Sequence, residues 1–110
     1  MKFYMFAPSK ENTKEKLIRN DNSPTPIFIM IDKILESYQE ETFLKADGFD
    51  EAIIGVEESG MRLIYSTAKC IDILMKDMSE EEALEYFEFN LSGSYMGDKT
   101  PIWCSDYFPE

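Results

Sequence analysis

Two short β-type runs, Ala52-Ile53-Ile54-Gly55-Val56 and Met61-Arg62-Leu63-Ile64-Tyr65, are separated only by Glu57-Glu58-Ser59-Gly60. So short a connection holds nothing but a tight turn, and the two runs must pair antiparallel as a hairpin. A glycine late in the loop, Gly60, is expected to supply the positive φ that such loops need. The rest of the chain has to be built around this hairpin.

The segments on either side read as helices. Ser66 or Thr67 caps a helix whose apolar positions are Ile71, Leu74, Met75 and Met78. Ser79-Glu80-Glu81-Glu82 has the form of a capping box: the serine oxygen takes an orphan N–H while Glu82 reaches back to the cap. A further helix then buries Ala83, Leu84, Phe87 and Leu91, with Gly93 as its stop. Upstream, Thr25 and Pro26 suit the N-cap and first position of a helix with Ile27, Met30, Ile31, Ile34, Leu35 and Tyr38 on one face. The run Ile27 to Ile31 alone also suits a buried strand; continuation of the period through Tyr38 favours helix, ending before Gly48. Near the end, Gly97-Asp98 reads as a turn and Ile102-Trp103 as a third strand. The class is α+β: a small antiparallel sheet centred on the hairpin 52–65, packed against about three helices.

The cluster Asn20-Asp21-Asn22-Ser23-Pro24-Thr25-Pro26 breaks regular structure. It divides the chain into an N-terminal extension, residues 1–25, and a single domain, residues 26–110. Phe3-Tyr4-Met5-Phe6 reads as a short strand and Glu11 to Arg19 as a short charged helix. This segment is either loosely attached or contributes an integral edge strand.

Charge narrows the function classes. Residues 1–19 hold five basic and two acidic side chains, net +3, while the other 91 residues hold six and 20, net −14. An acidic body repels nucleic-acid phosphates and disfavours DNA or RNA binding except through the short basic arm. The longest apolar run is five residues, Ile27 to Ile31, far short of the roughly 20 a membrane helix needs. Met1 to Ala7 lacks the apolar stretch of a secretory signal, so the expected location is cytoplasmic, without membrane contact. The chain has no histidine, which removes His-assisted nucleophilic catalysis and the usual four-ligand zinc sites. Its two cysteines make no disulfide framework, and none of its five glycines builds a phosphate-cradling loop.

A longer series carries a resemblance. Phe49-Asp50-Glu51-Ala52-Ile53-Ile54-Gly55-Val56, Leu63-Ile64-Tyr65, Lys69-Cys70-Ile71-Asp72-Ile73-Leu74-Met75, the run Met78 to Asn90, and Gly97-Asp98-Lys99-Thr100-Pro101-Ile102 together resemble a family of small uncharacterised proteins from tailed phages and prophages. The resemblance covers roughly residues 43–103, and residues 1–26 and 104–110 look like local additions. It implies a phage-type origin and a host-cell setting. It carries over no catalytic residue and no cofactor.

Glu81, Glu85 and Glu88 share one helix face, opposite Leu84, Phe87 and Leu91. With Asp72, Asp77, Glu57 and Glu58 they make either a solvated surface or a phosphate-like face for a basic groove on a partner. Glu57 and Glu58, adjacent in an exposed turn, lack the facing geometry of paired catalytic carboxylates. Asp47, Asp50 and Glu51 suit a helix-to-strand turn better than a divalent-cation site. Cys70 reads as a buried small hydrophobe, and Cys104 has no basic neighbour to activate it. Tyr86, Phe87 and Phe89 read as core. Tyr95, Trp103, Tyr107 and Phe108 either pack on the sheet or serve a partner.

The expectation is an acidic, non-enzymatic interaction protein that binds a basic host-protein surface and modulates or inhibits that protein, in a class that includes nucleic-acid-processing and defence enzymes. The alternative is a self-assembling accessory protein whose aromatic C-terminal tail forms a homodimer. Neither reading requires a metal or a cofactor.

Overall fold

The computed structural model describes residues 2–6 and 30–109. In chain order they form β1 (Phe3–Phe6), α1 (Met30–Ser37), β2 (Phe43–Ala46), a 3-10 turn (Asp50–Ala52), β3 (Ile53–Glu57), β4 (Arg62–Ser66), α2 (Thr67–Leu74), α3 (Glu80–Phe87), a π-type turn (Glu88–Ser92) and β5 (Ile102–Cys104). The α+β class is as expected. The expected short helix at Glu11 to Arg19 and the start of the helix at Thr25 lie outside the described residues.

β3 and β4 form the hairpin, with Val56 opposite Leu63 and Glu57 opposite Arg62, and a register shift between Ile53 and Gly55. The left-handed residue of the loop is Met61, φ 52°, and not the expected Gly60. The Glu57 carboxylate accepts the N–H groups of Ser59 and Gly60 at 2.8 and 3.0 Å. The early loop residues keep negative φ around it, and the reversal is completed by the last loop residue.

β5 joins the other edge of β4, with Tyr65 opposite Trp103, and runs parallel to it. The sheet is therefore mixed rather than wholly antiparallel. Residues 67–101, carrying α2 and α3, form the long crossover that parallel neighbours require.

A second, two-stranded sheet pairs β1 with β2, Phe3 opposite Ala46 and Phe6 opposite Phe43. Phe6 is buried in the main core with Phe43, Ile53, Leu63 and Tyr65. Within the expected N-terminal extension, then, residues 3–6 are a paired strand that seats an aromatic ring in the core. Full burial of such a ring stabilises by roughly 1.5–3 kcal/mol. β2 itself was not legible as a strand. All four of its residues are buried, so it is covered on both faces and shows no period-two alternation. A buried bond ties the two sheets: the Ala46 N–H donates to the Tyr65 hydroxyl at 2.8 Å.

The helices pack by their predicted faces. Ile31 and Ile34 of α1, Cys70, Ile71 and Leu74 of α2, and Ala83 and Phe87 of α3 all enter the core. Met75 does not, being 42% exposed just past the end of α2. Gly93 ends the π-type turn at φ −85°, without the left-handed geometry of the usual glycine stop. Its glycine is needed for space, because a Cβ there would lie 2.5 Å from the Glu88 carbonyl oxygen.

Candidate functional site

The start of α3 is built from its own sequence. Ser79 Oγ accepts the Glu82 N–H at 3.2 Å, and Glu82 Oε1 accepts the Ser79 N–H at 3.0 Å, completing the capping box. These bonds hold the Glu82 carboxyl below the usual carboxylate range. Glu80 is engaged as well, accepting the Tyr107 hydroxyl.

Glu81, Glu85 and Glu88 remain. All three are exposed, and none forms an ion pair among the described residues. At 100° per residue they fall within a narrow sector of the helix and make a ridge. A groove lies on each side of it. One, of about 650 Å³, is lined by Met78, Tyr86 and Phe89 together with Asp77, Glu82 and Glu85. The other, of about 440 Å³, runs between Glu88 and the C-terminal tail, past Thr67, Ser92, Trp103 and Tyr107.

The wider acidic surface does not assemble around this ridge. Glu57 is folded into its own loop and held below the usual carboxylate range, chiefly by the Ser59 hydroxyl. Glu58 accepts the Tyr38 hydroxyl at 2.6 Å. Asp72 sits apart with Glu51, Lys69 and Lys76. Asp77 alone of the four lines a groove beside α3.

Phe89 corrects an expectation. Placed with Tyr86 and Phe87 in the core by sequence, it is 77% exposed. Residues two apart on a helix face opposite ways, so the inward positions of Phe87 and Leu91 turn Phe89 out.

The aromatic tail divides. Trp103 lies among Tyr65, Phe87 and Phe3, with ring centroids 5.0, 5.6 and 6.5 Å away, and joins β1, β4 and α3. Its indole N–H is buried without a hydrogen-bond acceptor among the described residues. Tyr107 is half-buried against the core. Tyr95 and Phe108 are the exposed members, at 77% and 81%.

Two polar assemblies went unnoticed in the sequence. Asp106 accepts the Ser66 hydroxyl at 2.6 Å and the Ala68 N–H at 2.8 Å, while Ser66 Oγ caps α2 by accepting the Lys69 N–H. Burial pushes the Asp106 carboxyl up, but these donors outweigh it and hold it below the usual range. The second assembly is Lys45, a buried cation 3.1 Å from Asp50 and 4.5 Å above the Phe6 ring. Burial pushes its ammonium down; a hydrogen bond with Tyr4 and the Asp50 charge outweigh this and leave it raised and charged. A lysine inside an otherwise apolar strand was the only signal that marked this site. Asp50 is thus engaged by Lys45, and among the described residues no three candidate ligands come together as a cation site.

Cys70 is placed in the core rather than as a nucleophile. Cys70 is fully buried, and burial with the nearby Asp106 charge pushes its thiol up to about 12. Among the described residues no helix is long and apolar enough to cross a membrane. No family model, curated protein or solved structure matches this chain.

Proposed function

We propose that this chain is a non-enzymatic interaction protein that binds a basic surface on a host protein through the Glu81, Glu85 and Glu88 ridge and thereby modulates or inhibits that protein. The observation that carries this reading is the ridge itself: three exposed carboxylates without ion-pair partners among the described residues, on residues 20–110 of net charge −14. Such a face matches a basic groove of the kind nucleic-acid-processing and defence enzymes offer to phosphates, and releases the counterions held there. The resemblance to phage proteins supports a partner in the host cell. The homodimer reading has less support, since Trp103 and Tyr107 are turned to the protein's own core and only Tyr95 and Phe108 are exposed.

Host-lysate pulldown with mass spectrometry names the partner, and association rates then test the face. Replacing Glu81, Glu85 and Glu88 by glutamine should leave folding nearly intact. It should slow association and flatten its salt dependence. Equal rates and equal salt slopes for wild type and triple variant would reject the ridge as the contact.

A further inference from the structure

The larger groove beside α3 combines two features that rarely share a solvated surface. It is lined by Met78, Tyr86 and the exposed ring of Phe89, by the acidic Asp77, Glu82 and Glu85, and by Asn90. Among the described residues no basic side chain lines it. Glu82 is committed to the capping box, so Asp77 and Glu85 are the rim charges left for a partner.

Resting on the reading that the protein binds a basic partner, we propose that this groove seats a basic amphipathic helix of that partner, with an aliphatic or aromatic side chain against Phe89 and Met78 and flanking Lys or Arg side chains against Asp77 and Glu85. A helix is the fitting form because the groove offers side chains and no free strand edge. α3 satisfies its own backbone, and a helix brings its backbone groups already satisfied. From Glu82 to Phe89 the chain rises about 10 Å along α3, two helical turns, which calls for anchors spaced i, i+4 and i+7. Charge selects against the other occupants. Residues 20–110 of a second copy would set one acidic surface against another, and anionic lipid headgroups or phosphates would meet the same repulsion.

The test uses the full chain and a fluorescent synthetic Leu/Lys peptide about four turns long, read by anisotropy against a scrambled peptide of identical composition. The amphipathic peptide should bind at least about tenfold more tightly than the scrambled one, which carries the same charge. Phe89→Ser should remove about tenfold of that affinity at both low and high salt, whereas Asp77→Asn with Glu85→Gln should weaken binding at low salt only. Circular dichroism melts check that these exposed substitutions leave the fold in place. Equal binding of the two peptides, no binding of either, or no effect of Phe89→Ser overturns the groove assignment. If Phe89→Ser is silent while the Glu81, Glu85 and Glu88 triple variant weakens both peptides, the acidic-ridge reading stands and the groove falls. Sedimentation that finds a dimer abolished by Phe89→Ser would make the occupant a second copy and overturn the proposal.

Discussion

Ser66 donates its hydroxyl proton to Asp106 at 2.6 Å, across 40 residues of sequence, so the C-terminal tail is fastened to the first turn of α2. The same carboxylate accepts the Ala68 N–H and so satisfies an otherwise orphan donor at that helix end. A negative charge at this position also suits the helix dipole.

Asp106→Ala should therefore destabilise the protein by about 1–2 kcal/mol, the usual range for a lost helix cap. The pH dependence has a definite sign. Asp106 is depressed in the folded state, so its contribution is present at neutral pH and is lost as pH falls below the unfolded value of about 3.9 and through the lower folded value. Urea denaturation of wild type and Asp106→Asn should show a stability gap at pH 7 that narrows as pH falls below the unfolded value of about 3.9. A gap independent of pH would mean that the carboxylate charge plays no part.

Phe6 tests how firmly β1 belongs to the core. It is 1% exposed while its neighbour Met5 is 54% exposed. Phe6→Ala should cost about 3–5 kcal/mol, a large share of the 5–15 kcal/mol typical of a domain. Met5→Ala should cost less than about 0.5 kcal/mol. The comparison is of chemical-denaturation midpoints. Similar small losses for both would show that β1 is not seated in solution, and deletion of residues 2–6 should then be tolerated.

Lys45 and Asp50 form a pair in which only the cation is fully buried, with side chains 5% and 35% exposed. Lys45→Met should destabilise by about 1–3 kcal/mol, below the full penalty of a broken buried pair because water reaches Asp50. Adding Asp50→Leu should recover part of that loss, giving a coupling energy of about 0.5–3 kcal/mol in a double-mutant cycle. Strict additivity of the two substitutions would show that the ion pair contributes no interaction of its own.

Two glycines with negative φ should respond differently to alanine. At Gly93 the new Cβ would meet the Glu88 backbone oxygen at 2.5 Å, and at Gly60 it would meet the Glu57 side-chain oxygen at 2.9 Å. Backbone cannot yield as the end of a flexible carboxylate can. Gly93→Ala should cost about 1–3 kcal/mol, while Gly60→Ala should stay within about 1 kcal/mol of wild type. Thermal unfolding of the two variants side by side checks the order.

What the sequence determined by itself is whatever obeys rules that act over a few residues. The hairpin is legible because four residues between two apolar runs allow one geometry. The helix cap at Ser66 or Thr67, which the structure resolves to Ser66, the Ser79–Glu82 capping box and the Gly97 turn, whose glycine has φ 102°, are legible because each is completed within a turn of chain. The co-facial Glu81, Glu85 and Glu88 follow from helical spacing alone.

Only the tertiary structure decided the rest, because the deciding partner is distant along the chain. β2 is a strand because β1 pairs with it and the core covers it, so its own pattern carries no alternation. Tyr65 became the tie between the sheets by meeting Ala46, 19 residues away. β5 runs parallel because two helices carry the chain across before it returns. That return places Trp103 among Tyr65, Phe87 and Phe3, and turns toward the core an aromatic that adjacency in sequence grouped with Tyr95 and Phe108. Short-range periodicity sets which face a side chain shares; the packing of whole elements sets what that face meets.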